Sequence, residues 1–340
     1  MDIRTIGEFG LISRLTEGFK TVQPSTVKGI GDDAAILRYG DTTLAVTTDT
    51  LVEGINFDLT YVPLQHLGYK AAIISISNLY AMNALPRQLL VSIAVSAKFS
   101  VEALELLYQG LKLACERHHV DLVGGDTTSS VTGLVITVTV IGEADTKKLT
   151  YRNTAQKGDL ICVSGNLGAA YVGLQVLERE KKMFEDDPTI QPQLDSYSYI
   201  VGRQLKPEAR RDIVDFFASA DLSPSSMIDV SNGLSSDLLH ICTASGMGCE
   251  IHHHKIPIAD ETVAAAEEIY MEPLVVALHG GDDYELLFTI PVSDYDKLTG
   301  HETISIIGYV TEQEKGCCLV TENGARIEIS RTNTPGVIDN

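Results

Sequence analysis

Positive charge is scarce in this sequence. With 26 Lys and Arg against 46 Asp and Glu, the formal net charge is −20, which repels a nucleic-acid backbone or an anionic membrane surface unless a local basic patch overrides it. No such patch is present. The six cysteines include no C-x-x-C pair and mostly sit in apolar runs, so buried, reduced thiols are expected. No apolar run approaches the roughly 20 residues of a membrane-spanning helix, and the segment after Met1 is polar rather than a cleavable apolar leader. A cytoplasmic chain with neither nucleic acid nor membrane as partner is the expectation. Tryptophan is missing altogether, yet 44% hydrophobic and 21% charged residues over 340 positions describe an ordinary packed protein, long enough for two domains.

Familiar nucleotide and catalytic signatures are lacking too. There is no G-x-x-x-x-G-K-[ST], no H-R-D and no G-x-S-x-G, which argues against a P-loop, a protein-kinase site and a serine-hydrolase elbow. The cysteines have no basic setting to activate them. GIGDDA (Gly29 to Ala34) matches G-x-G-x-x-A on paper. The TVQPSTVK before it is no apolar strand, however, and two aspartates would face a pyrophosphate.

What is present begins with alternation. Leu44 and Val46, then Val91, Ile93 and Val95, then Ile136, Val138 and Val140 mark strands. Helical spacing predicts helices over 66–84 and 100–118, so strands and helices interleave. The polar segment 144–158 suggests a boundary, giving domains 1–145 and 146–340. In the second half, helices are expected from Asn166 and over 207–219, 234–245 and 260–269, with strands near 227–230, 285–290 and 304–310. The charged stretch Glu178 to Asp195, containing Pro188 and Pro192, reads as an exposed loop or lid. His252, His253 and His254 read as incidental surface histidines, because alternate side chains of an extended segment point oppositely.

Several small acidic segments, most of them Gly-flanked, stand out: GIGDDAA with Asp32 and Asp33, TTDT with Asp49, GGDTT with Asp126, DVSNG with Asp229, and GGDDY with Asp282 and Asp283. Each alone is an ordinary turn. Together, most at strand ends, they can converge on one sheet edge and build a shared pocket. Carboxylates gathered without cations repel and raise one another's pKa, whereas Mg²⁺ takes hard oxygen ligands and bridges carboxylates to phosphates. Metal-bound nucleotide is the natural occupant. Thr47, Thr48, Thr127 and Ser231 add oxygen donors, and the Gly124 and Gly125 amides offer phosphate close approach. Lys70 and Arg87 read as solvated surface residues.

The ordered set GEFGLI (Gly7 to Ile12), GIGDDAA (Gly29 to Ala35), TTDTLVEGINF (Thr47 to Phe57), SNLYAMNALP (Ser77 to Pro86), GGDTT (Gly124 to Thr128), DVSNGLSSDL (Asp229 to Leu238) and GGDDYELLF (Gly280 to Phe288) strongly resembles the thiamine-monophosphate kinase family. That family lies in the superfamily of aminoimidazole ribonucleotide synthetase and selenophosphate synthetase. The resemblance implies an α/β (α+β) fold of two domains: an N-terminal ATP- and metal-binding domain pairing in a homodimer, and a C-terminal α/β domain closing the site. It implies ATP as co-substrate, thiamine monophosphate as acceptor and Mg²⁺ as cofactor. By motif, Asp33, Thr47, Thr48, Asp49, Asp126 and Asp229 fall at metal positions, with Asn78 and Asn232 where the family usually carries metal-binding aspartates. Tyr108, Gly125, Asp126, Arg152 and Ser231 fall at nucleotide positions. Asn56, replacing a common histidine, and Asp282, replacing a glutamate, fall at substrate positions.

An amide oxygen at 78 or 232 binds Mg²⁺ without adding charge, so fewer metal ions, or one held more weakly, are expected. The tail RTNTPGVIDN lacks the aromatic residue many relatives place against thiamine. A phosphate acceptor ionised near neutrality, with a second pKa of about 6, needs no general base, so no dedicated catalytic residue is expected. The alternatives are another ATP-dependent enzyme of the superfamily and a catalytically impaired nucleotide-binding paralogue.

Overall fold

The computed structural model describes residues 3–298 and 300–330, with side chains from residue 10 onward. The first part runs α1 (Ile3–Thr16), β1 (Thr26–Lys28), β2 (Ala35–Tyr39), β3 (Thr42–Val52), α2 (Leu64–Ala81), β4 (Leu85–Val95), α3 (Val101–His118), β5 (Asp121–Ser129) and β6 (Val135–Glu143). Its six strands form one sheet in the order β1-β2-β3-β6-β4-β5, antiparallel except for the parallel β4–β5 pair at one edge.

The second part continues with β7 (Leu160–Ser164), α4 (Ala169–Asp186), α5 (Ser198–Leu205), α6 (Arg211–Ser219), β8 (Ser226–Asp229), α7 (Leu234–Ser245), β9 (Met247–His252), α8 (Asp260–Glu268), α9 (Pro273–His279), β10 (Leu286–Ile290), α10 (Tyr295–Leu298), β11 (Ile304–Glu312), β12 (Cys317–Val320) and β13 (Arg326–Glu328). These strands form a seven-stranded sheet, β13-β12-β9-β11-β7-β10-β8. The fold is mixed α/β, as expected. The alternating strands and the helices predicted over 66–84 and 100–118 appear as β3, β4, β6, α2 and α3. Ser100 caps α3 by accepting the Ala103 amide, and His119 ends it in the left-handed conformation.

Helix α2 explains how the two sheets meet. Ile73, Ile76, Leu79 and Tyr80 are fully or almost fully buried, because one side of the helix lies on the first sheet while another faces β8 of the second. One apolar cluster accordingly runs from Ile36 and Ile93 through Phe217 to Phe288. No helix among the described residues is long and apolar enough to cross a membrane.

Four expectations need correction. The stretch 178–195 is not one loop: α4 continues to Asp186, since EREKKMFED is made largely of good helix formers. Tyr61 donates to Glu178, and Lys181 pairs with Asp58 at 2.7 Å, tying the helix to the first part. Only 187–194 remain between α4 and the 3-10 turn Asp195–Tyr197 that leads into α5. TTDT and GGDTT are not turns, because Asp49 lies inside β3 and Asp126 inside β5. The helix expected over 207–219 begins at Arg211, because Arg210 is drawn toward Asp212 and Glu285. Lys70 is buried and paired with Asp282 at 2.9 Å rather than solvated. Arg87 is an exposed partner of Glu143, as expected.

Candidate active site

Polar residues inside a buried helix are costly unless paired, and α2 carries four that point to the site. Ser75 donates to Asp49 Oδ2 at 2.7 Å, and Asn78 Nδ2 donates to Asp49 Oδ2 at 3.0 Å and to Thr47 Oγ1 at 3.3 Å. Ser77 donates to Asp229 Oδ2 at 2.7 Å. Lys70 donates to the Gln204 carbonyl at 3.1 Å as well as to Asp282. One helix thus binds carboxylates from β3, from the end of β8 and from the loop before β10.

Asp33 enters from the loop before β2 and is held by Arg152, whose Nε donates at 3.0 Å and whose Nη2 makes a second, short contact. Asp32 accepts the Arg152 amide at 3.3 Å and lies 3.6 Å from Lys28. Electrostatics shows that these groups share one space. Burial, then the charges of Asp33 and Asp49, push Asp229 up to about 7 despite the Ser77 hydrogen bond. Burial, then Asp33, push Asp32 up to about 6. Asp33 is raised by burial against the pull of Arg152, and Asp49 by burial against its Ser75 and Asn78 donors. Arg152 is held charged: burial opposes it, but Asp33, Asp32 and Asp229 outweigh that cost.

The loop after β8 completes this side. Ser231 accepts the Asp282 amide at its carbonyl, and Asn232 Nδ2 donates to Ser231 Oγ at 3.3 Å. The Asn232 amide donates to Asp237 Oδ2 at 3.0 Å, while the other Asp237 oxygen is buried without a hydrogen-bond partner. Burial and the nearby Asp229 raise Asp237 well above a normal carboxyl.

Other expected residues sit elsewhere. Side chains alternate across a strand, so Thr48, bonded to Thr139 at 3.0 Å, faces away from Asp49. Register places Asp126 beside Ser92, in line with Thr137 and Thr50, one step out of phase with the row Asp49, Val138, Val91 and Gly125. Asp126 therefore lies on the face opposite Asp49, three strand spacings or about 14 Å across the sheet. Gly125 is needed for packing: a Cβ there would stand 1.8 Å from the Val91 carbonyl oxygen. Tyr108 lines a groove with Cys115, His119 and Leu122. Asn56 accepts the Val52 amide at 2.9 Å and closes the turn after β3. The tail 331–340 lies outside the described residues.

Sequence reading missed Lys70, Ser75, Ser77 and Asp237. The signal for the first three was polar residues in an otherwise apolar helix. For Asp237 it was a carboxylate in the first turn of α7, where the helix dipole favours negative charge.

An oxygen-lined cluster of Asp33, Asp49 and Asp229, with Thr47 and Asn78 at its wall, has donors suited to a hard divalent cation. Its mutual repulsion is relieved when such a cation binds. The fold and the cluster thus define an α/β protein whose two sheets share a carboxylate-lined pocket.

Comparison with known proteins narrows this class. Residues 31–144 match the family "AIR synthase related protein, N-terminal domain". Thiamine-monophosphate kinase of Bacillus subtilis (strain 168) is 34% identical over 321 residues, covering 91% of this chain and 92% of that protein. The enzyme of the same name from Escherichia coli (strain K12) is 34% identical over 326 residues, covering 93% and 94%. A solved structure, AaThiL complexed with AMPPCP and TMP, superposes with a TM-score of 0.83 at 31% identity, covering 96% of this chain and 97% of that one. The chain belongs to the thiamine-monophosphate kinase family.

Proposed function

We propose that this protein phosphorylates thiamine monophosphate to thiamine diphosphate with ATP, by direct in-line transfer supported by Mg²⁺. The observation that carries the reading is the convergence of three carboxylates, buried Asp33 from the loop before β2, half-buried Asp49 from β3 of the first sheet and buried Asp229 from β8 of the second. Family membership and the AMPPCP and TMP in the similar AaThiL structure support the two substrates.

Asp33, Asp49 and Asp229 would hold magnesium, with Thr47, Asn78 and Asn232 as further oxygen donors; Thr48 and Asp126, on the opposite face of the first sheet, fall outside this set. When bound, magnesium supplies charge neutralisation and alignment of the phosphates. Asn78 presents its amide nitrogen to Asp49 here, and a half-turn of the amide would offer its oxygen instead. Arg152, seated beside Asp33, offsets negative charge on the phosphate chain. Ser231, on the loop after β8, would contact the nucleotide, whereas Tyr108 and Gly125 lie apart from these carboxylates on α3 and β5. Asp282, fixed by Lys70 and by the Tyr284 hydroxyl at 2.9 Å, would face the acceptor, whereas the Asn56 side chain is spent on closing the turn after β3. The acceptor phosphate is its own nucleophile, so no side chain has to remove a proton.

We also propose a homodimer. In support, β5 is a nine-residue edge strand whose residues are all exposed, Leu122 and Val123 among them, and such an edge favours pairing with another strand. Domains divided near 145 and a cytoplasmic site of action complete the reading; the water-soluble substrates support the latter.

The Asn78 amide filling the inner side of Asp49 favours one rival, a protein that binds Mg·ATP without turnover. Incubation of purified protein with ATP, thiamine monophosphate and Mg²⁺ separates the two. ADP and thiamine diphosphate forming in equal amounts, and ceasing with EDTA, supports the enzyme; calorimetric nucleotide binding without either product overturns it.

A further inference from the structure

Three cysteines from three different elements meet on the far side of the second sheet. Cys242 lies on α7, Cys249 on β9 and Cys317 on β12, and their Sγ atoms all lie within 4.8 Å of one another. Cys249 and Cys317 are register partners in the parallel β9–β12 pair. The Cys249 amide donates to the Gly316 carbonyl at 3.1 Å. A Cβ at Gly248 would stand 2.4 Å from that same carbonyl oxygen, so only glycine lets β9 and the turn before β12 approach this closely. The cluster is fixed by backbone packing rather than by flexible loops.

Its surroundings are apolar: Leu238, Ile241, Ile251, Val310 and Leu319 belong to the same buried cluster. Cys242 and Cys249 are almost fully buried, whereas Cys317 is half-buried and leaves a way in for an ion and a water. Sheet order separates this corner from the carboxylates. Asp229 ends β8 at one edge, and β12 lies next to the opposite edge. A hard cation such as magnesium has no reason to choose sulfur.

We propose that Cys242, Cys249 and Cys317 form a trithiolate site for a zinc-class divalent cation, with water as the fourth ligand on the Cys317 side. Zinc–sulfur bonds of about 2.3 Å in a tetrahedron put sulfur atoms about 3.8 Å apart, so small side-chain rotations close the observed triangle. A disulfide needs two sulfurs at about 2.05 Å and would leave the third thiol without a role. Binding displaces the thiol protons and clamps α7, β9 and β12 together at one point, so the ion acts as a staple for the last strands of the sheet.

The test uses the whole protein, reduced and freed of metal, with excess Mg²⁺ present to occupy oxygen ligands. Titration with Co²⁺ should give one equivalent of uptake with an intense thiolate-to-cobalt charge-transfer band, bleached by one equivalent of Zn²⁺. The same Zn²⁺ should raise Tm. Cys317→Ser should lose both the band and the Tm shift, and Cys115→Ser, on distant α3, should keep them. The wild-type spectrum decides even where a variant folds poorly. Absence of the band in reduced wild-type protein overturns the proposal. So does zinc binding that survives Cys317→Ser, or purified protein found two hydrogens lighter as a Cys249–Cys317 disulfide that takes up no metal.

Discussion

Two groups of buried carboxylates lie on either side of the loop after β8, and they are treated in opposite ways. Around Asp33, Asp49, Asp229 and Asp237, negative charge exceeds the cations that reach it: Arg152 pairs with Asp33, and Lys28 with Asp32. Behind the GGDDY segment, Glu285 accepts Arg203 at 2.9 Å, Arg210 through a short contact and Ser164 at 2.6 Å, while Asp282 accepts Lys70. Asp282 is lowered: burial opposes ionisation, but Lys70 outweighs it. Asp283 is intermediate. It takes the Gly168 amide at 2.8 Å but lies 4.0 Å from Arg203, and burial lifts it to about 7. Similar residues in similar burial thus do different work. The Glu285 network is closed and holds the fold, whereas the Asp49 cluster carries more negative charge than its partners offset.

The largest effect should come from opening the closed side. Glu285→Gln removes the charge shared by Arg203 and Arg210, and breaking a buried ion pair from one side costs about 3 kcal/mol or more. A marked fall in Tm is expected, with specific activity of the folded fraction within about threefold of wild type. Unchanged Tm would mean that the two arginines find solvent.

Asp49→Asn should do the reverse. It removes charge from the open side, so turnover should fall by at least about 100-fold, as when a preorganised group is lost from an active site. Tm of the metal-free protein should hold or rise, because repulsion with Asp33 is gone. Full activity would reject Asp49 as part of the metal-binding set.

Acidity distinguishes the sides as well. Asp229 titrates near 7 in the folded protein against 3.8 as the ordinary value, so between those limits the folded state holds more protons than the unfolded one. Stability then falls as pH rises. From pH 5.5 to 7.5 this group alone accounts for a loss of about 2 kcal/mol. Metal-free protein should lose Tm over that range, and Asp229→Asn should flatten the slope. An equal slope in the variant would place the titrating group elsewhere.

The contrast between the two sides was only half legible in the sequence. Acidic segments are short and local, so Asp33, Asp49 and Asp229 could be picked out from neighbouring glycines and strand patterns, and α2 and α3 from their spacing. Their partners are encoded at a distance. Lys70 meets Asp282 across more than 200 residues, and the apolar helix around it hints at burial without naming that partner. The family motifs placed Thr48, beside Asp49 in TTDT, and Asp126, in GGDTT, at the same metal positions, yet a one-residue step in register turns both to the other face of the sheet. Charged composition suggested a loop for 178–186, where tertiary contacts to Asp58 and Tyr61 sustain a helix. The short strands β12 and β13 lack enough alternation to be seen without their neighbours.

The smallest expected effect sharpens the comparison most. Asn232 stands beside Ser231, with its amide on Asp237, and brings no charge to an already overcharged corner. Asn232→Asp adds a fourth carboxylate to Asp33, Asp49 and Asp229. Without metal it should lower Tm slightly and push Asp229 further up, because like charges in a shared buried space suppress one another's ionisation. With metal the sign reverses: ligand charge strengthens divalent binding, so the Mg²⁺ concentration for half-maximal activity should fall about threefold. Opposite responses with and without Mg²⁺ are what an open cation site requires. A variant that is destabilised equally in both conditions would put residue 232 outside the metal's reach and leave Asp33, Asp49 and Asp229 to hold it.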